Sequence, residues 1–313
     1  MFTTSTGRLR PGWAFVISIV LSFAVFFIAG VASEAVAGRH SLVLEVIFRS
    51  LIALLLLGLY LWLLPVADHI YSHRIAALGL PTAEGWRAQF LTGCLVGLVL
   101  TLLAVLPLFI WANPRVHFQL GVYLLPRAGA VLFVLVVGAL AEELVFRGYP
   151  FQHLVEAIGP LGAIAVFSVM FGAVHLSNPG ASKWGLLNTV LIGILLSIAY
   201  LRTRALWLPW GIHFGWNVTL GFLCGLPVSG LRTFNVVVRT SVSGPSWMTG
   251  GSYGIEASAT GTLAVLMGLV IVWKLPVSSP WPRTSDGTVS AYGTNGQRNG
   301  GPNLSGGDSD QPL

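Results

Sequence analysis

The chain has 313 residues, 55% of them hydrophobic and 9% charged, with a formal net charge of +6 and a mean hydropathy of +0.79. Soluble domains carry about a quarter charged residues, so this composition excludes an ordinary soluble enzyme and predicts an all-α, polytopic transmembrane helix bundle. The 17 Lys and Arg are scattered singly, which argues against a nucleic-acid partner. The apolar runs are continuous and do not alternate, which argues against a β-barrel.

A helix needs about 20 apolar residues to cross a bilayer, and eight runs approach that length. A polar segment, 1–11, carries Arg8 and Arg10 and precedes the first two runs, at about 13–32 and 46–66. A polar connector around 68–87 leads to runs at 89–112, 128–149, 160–177, 185–201 and 205–224. A Gly-, Ser- and Thr-rich loop, 223–256, is followed by the last run, 257–275. The reading is one membrane domain over 12–275 and a tail, 276–313, whose Gly, Ser, Asn and Pro content predicts disorder. No cleavable signal peptide is expected, because the first run is long enough to span. An N-terminus in the cytoplasm puts ten Lys and Arg inside and seven outside, the orientation favoured for a multi-pass protein of the plasma membrane.

Against this apolar background a few polar side chains lie inside the runs: Glu142, Glu143 and Arg147, then His175, then His213 and Asn217. Ionisable groups in lipid cost roughly 2.5–3.5 kcal/mol each on insertion scales and mark function by default. Residues four apart share a helix face, so Glu143 and Arg147 form a pair, as do Phe171 with His175 and His213 with Asn217. Glu142 points about 100° away from Glu143, toward the bundle interior. A buried carboxylate without a cation suits general-base chemistry near neutral pH. Two hydrolytic arrangements follow. Glu142 and His175 activate a water while His213 and Asn217 stabilise an oxyanion, or two His and one Glu hold a Zn²⁺ with an open position. Spacing does not separate hydrolysis from proton-coupled transport or from a non-catalytic immunity or scaffold protein.

Other polar residues are expected to be bland. His69 and His73 flank the polar connector beside Asp68, at the depth of lipid headgroups. His40, His117 and His153 fall in loops or at helix ends. Glu256 follows a Gly-rich stretch that lies between no strand and helix, which argues against phosphate binding. Cys94 and Cys224 read as small hydrophobes.

The three motifs in order, Glu-Glu-x-x-x-Arg at 142–147, Phe-x-x-x-His at 171–175 and His-x-x-x-Asn at 213–217, resemble those of the CPBP family. That family holds the type II CAAX prenyl endopeptidases and bacteriocin-processing intramembrane proteases. The resemblance covers roughly 128–222. It implies an intramembrane endopeptidase in which Glu142 activates water with His175, and His213 and Asn217 stabilise the oxyanion. Glu143 and Arg147 would be a supporting pair and Phe171 would shape the site. The implied partners are a peptide or membrane-protein substrate, prenylated or not, and the lipid bilayer. The resemblance leaves open whether Zn²⁺ takes part, and no His-Glu-x-x-His is present.

Overall fold

Lipid offers no partner to backbone N–H and C=O groups, so a long apolar run satisfies them internally as a helix. In the computed structural model the described residues are 2–5, 7–36, 42–69, 74–82, 84–119, 121–122 and 124–276. The tail from 277 onward, with His40 and His73, lies outside them. The helices are α1 (Pro11–Val36), α2 (Leu42–Ala67), α3 (Arg74–Ala77), α4 (Trp86–Trp111) and α5 (Leu124–Phe146). They continue with α6 (Tyr149–Val174), α7 (Lys183–Thr203), α8 (Trp207–Asn217), α9 (Ser246–Thr249) and α10 (Ala259–Lys274). The protein is an all-α membrane bundle.

Five stretches are long and apolar enough to cross a membrane, and one of these, Leu124–Ser177, holds both α5 and α6. Helix α10 is apolar and shorter. Each apolar run of the sequence falls on a helix, but two boundaries have causes that the runs do not display. Helix α6 begins eleven residues before its apolar run and is broken at Gly159, whose φ of 81° precedes Pro160. Proline has no N–H to donate and disfavours helix in the residue before it. Helix α8 is only 11 residues long and passes into a π-helical turn, Val218–Leu223.

Helix α4 packs on α8, α6 on α7, α2 on α5 and α1 on α6, and α10 lies against both α4 and α7. The α4–α8 contact is close because glycines face it from both sides. A methyl group added at Gly97 would lie 2.6 Å from the Trp216 nitrogen, and one at Gly215 would lie 2.8 Å from the Cys94 Cα. Small residues let helix backbones approach in this way where lipid supplies no hydrophobic drive. Thr101 of α4 adds hydrogen bonds to the carbonyls of Gly97 (2.8 Å) and, across the seam, Trp216 (3.4 Å).

Outside the bundle, β1 (Arg115–Phe118) pairs antiparallel with β2 (Val238–Ser241), with Val116 opposite Thr240. The loop before β2 makes a tight turn in which Val228 and Leu231 exchange backbone hydrogen bonds. Its central residues, Ser229 (φ 47°) and Gly230 (φ 85°), both have positive φ, the signature of a type I′ turn.

Candidate active site

The two glutamates of α5 diverge as 100° of helical rotation requires. Glu143 is fully buried, and its Oε1 accepts hydrogen bonds from Arg147 Nη1 at 3.1 Å and from His213 Nδ1 at 2.8 Å. Arg147, also fully buried, donates from Nη2 to the Gly193 carbonyl of α7 at 3.1 Å and lies 4.5 Å from the centre of the Phe171 ring. One guanidinium thus bridges α5, α6 and α7, and Glu143 carries the bridge on to α8. The pair expected from spacing is present, with His213 as a third member.

The bond to Glu143 sets the imidazole. A carboxylate only accepts, so Nδ1 of His213 carries a proton and Nε2 is turned toward Glu142, 3.8 Å from its Oε2. Glu142 is partly exposed, at 24% of its side chain. Its Oε2 is nevertheless buried, with no hydrogen-bond partner among the described residues. His175 follows the end of α6, and its Nδ1 donates to the Phe171 carbonyl at 2.7 Å. A carbonyl also only accepts, which leaves Nε2 of His175 as the basic nitrogen.

Glu142, His175, His213, Asn217 and Phe171 all line one cavity of about 740 Å³. Three aromatic residues of α1, Phe23, Phe26 and Phe27, form part of its apolar wall. Glu143 and Arg147 stand behind the wall and hold it. Every site residue expected from the sequence is therefore either on the cavity or in the buried bridge that backs it.

Sequence reasoning missed Glu256. It lies in the 3₁₀ turn Ile255–Ala257 just before α10, lines the same cavity and is 4% exposed. Burial pushes its carboxyl above the usual range, opposed by hydrogen bonds from the Ser229 N–H and the Trp216 indole. The signal was the residue's position. A scarce acidic side chain stands one residue before an apolar run, where the absence of a phosphate-binding context says nothing of its role in a membrane bundle. His153 lies near the start of α6, at a helix end as expected, but it is buried there, with Nε2 3.2 Å from Asp68.

For a metal, the donor set is the test. Among the described residues no three His, Cys, Asp or Glu side chains come together as ligands. Asp68 turns away from the exposed His69 and into the bundle, where it accepts from Tyr149 at 2.7 Å. The residues present do not fit a zinc site, and no step below runs through a metal.

A partly exposed carboxylate with one buried, unpartnered oxygen, two imidazoles and an amide thus line one cavity in a membrane bundle. A family model described as Rce1-like, type II CAAX prenyl endopeptidase, matches residues 125–219. The matched segment carries all three motifs and supports the assignment of this domain to the CPBP and CAAX protease family, a family of peptidases. No curated protein and no solved structure matches the chain significantly.

Proposed function

We propose that the protein is an intramembrane endopeptidase that hydrolyses a peptide bond with a water activated by Glu142. The observation that carries this reading is the convergence of Glu142, His175, His213 and Asn217 on one cavity. The unpartnered Glu142 Oε2 takes a proton from water, and the resulting hydroxide attacks the scissile carbonyl carbon. Negative charge builds on the carbonyl oxygen, where the Asn217 amide and a doubly protonated His213 donate hydrogen bonds. Glu143 on Nδ1 supplies the countercharge that such a ring needs, and Glu142 near Nε2 adds to it only until it takes the proton from water. As the C–N bond breaks, the proton held by Glu142 passes to the leaving amine, with His175 assisting both transfers through Nε2.

The substrate is a peptide or membrane-protein segment that reaches the cavity from the bilayer. The aromatic wall from α1 accepts an apolar portion of it, so a CAAX-type substrate fits the reading. In this reading the multi-pass chain lies in the plasma membrane, with the N-terminus cytoplasmic as the excess of Lys and Arg on that side favours. The test uses purified protein in lipid nanodiscs and a panel of quenched fluorescent peptides, with and without a C-terminal prenyl cysteine. Glu142→Ala and His175→Ala are each expected to lower kcat by about a thousandfold. Cleavage that survives both substitutions overturns the mechanism.

A further inference from the structure

The cavity holds a second carboxylate, Glu256, that the chemistry above does not use. Its Oε1 accepts from the Trp216 indole N–H at 3.0 Å, and its Oε2 accepts from the backbone N–H of Ser229. Indole and backbone N–H groups only donate, so both oxygens are held as acceptors, bridging α8 to the turn at 228–231. The backbone of Glu256 is fixed from the other side. Asn188 of α7 donates to the carbonyls of Glu256 (2.9 Å) and Ser258 (3.0 Å), and Thr262 of α10 donates to the Asn188 Oδ1 at 2.8 Å. One side chain on a pinned turn thus reaches both α8 and the 228–231 turn, and the Gly230 N–H adds a second tie by donating to the Tyr253 carbonyl at 2.9 Å.

What it reaches gives the bridge its meaning. Trp216 directly precedes Asn217, the amide assigned to the oxyanion. Ser229 has a left-handed φ of 47°, a conformation that costs a non-glycine residue energy and persists only where the surroundings hold it. The neighbouring Gly230 rests on the chain that leaves His175: a methyl group there would lie 3.1 Å from the Pro179 carbonyl carbon. The carboxylate therefore fixes a continuous wall running from Asn217 across to the segment after His175.

We propose that Glu256 is a positioning residue of the active site, holding the Trp216–Asn217 end of α8 and the Ser229–Gly230 turn as one rigid wall of the substrate cavity. This inference rests on the endopeptidase reading. It adds a residue outside the three motifs whose role is geometric, exerted through Asn217 and the turn.

The experiment uses the same peptides and nanodiscs with wild type, Glu142→Ala, Glu256→Gln, Trp216→Phe and the double variant Glu256→Gln with Ser229→Gly. Glu256→Gln sets an amide N–H against a donor. It is expected to lower kcat by about 10- to 100-fold while KM changes far less. Trp216→Phe, which removes one donor, lowers kcat in the same direction by less. Glycine at 229 takes positive φ without strain, so the double variant recovers part of the lost kcat. Backbone amide exchange over 226–236 rises in Glu256→Gln and falls back in the double variant, with α10 unchanged. A Glu256→Gln enzyme with wild-type kcat and KM overturns the proposal. So does a loss that the double variant does not relieve, with exchange over 226–236 unaltered. Equal cleavage by wild type and Glu142→Ala is a separate result: it removes the endopeptidase reading, and the positioning role falls with it.

Discussion

At the scale of single residues, adjacent Glu142 and Glu143 are kept apart in role by helix geometry and by one buried guanidinium. Glu143 answers Arg147 and sets the His213 ring; Glu142 is left with an oxygen free to work. Removing one partner of a buried pair strands the other charge, at a cost of about 3–5 kcal/mol. Glu143→Gln is therefore expected to lower the thermal unfolding midpoint of the purified protein in detergent, and to lower cleavage further because the tie that orients His213 is weakened. Unchanged unfolding would mean that Arg147 finds its countercharge elsewhere. The Glu143–Arg147 pair was legible in the sequence because four residues separate its members. His213 as the third member was not, since it lies 70 residues away and only packing brings it near. Glu256 was hidden for the same reason, its partners being Trp216 and Ser229.

At the scale of elements, the site depends on how closely α8 approaches α4. Gly93 and Gly97 of α4 face Gly211 and Gly215 of α8 so closely that an added methyl group meets backbone atoms. Forcing volume into such a contact costs about 1–3 kcal/mol or more, and here it also shifts the helix that carries His213 and Asn217. Gly215→Val is expected to reduce folded yield and abolish cleavage. Gly129→Ala on α5, where nothing lies within 4 Å of an added methyl, is expected to be neutral or slightly stabilising, since alanine favours helix over glycine by up to about 1 kcal/mol. Size-exclusion profiles and unfolding midpoints of the two variants check this contrast. The long helices themselves were readable from apolar length. The break at Gly159 and the π-helical turn after Asn217 were not, because hydropathy counts residues and is blind to where the ladder of hydrogen bonds slips by one.

At the scale of the molecule, the chain's first residues are tied to its middle. Leu9 donates to the Ala67 carbonyl at 3.0 Å, and Asp68 accepts from Arg8 (3.4 Å), Tyr149 (2.7 Å) and His153 (3.2 Å). This cluster joins the N-terminal segment, the end of α2 and the start of α6. Burial pushes the Asp68 carboxyl up, but the hydrogen bonds from His153 and Tyr149, with the charges of His153 and Arg8, more than offset it and leave it below its ordinary value of 3.8. A carboxylate with a depressed folded value stabilises the fold fully above the unfolded value, and that contribution fades as pH falls through the folded one. Asp68→Asn is expected to cost about 2 kcal/mol at neutral pH. Its deficit against wild type should shrink only below pH 3.8, as followed by unfolding across pH. The glycine seam has a further consequence for how small a working unit can be. The three motifs sit within 125–219, yet α8 is seated by α4, upstream of that stretch, and the cavity is walled by Ser229 and Glu256, downstream of it. An excised motif core would carry every catalytic side chain and still have nothing to press them into place. A fragment from α4 through α10 keeps the seam and the far wall, and only a chain that begins with α1 keeps the aromatic wall of Phe23, Phe26 and Phe27 as well.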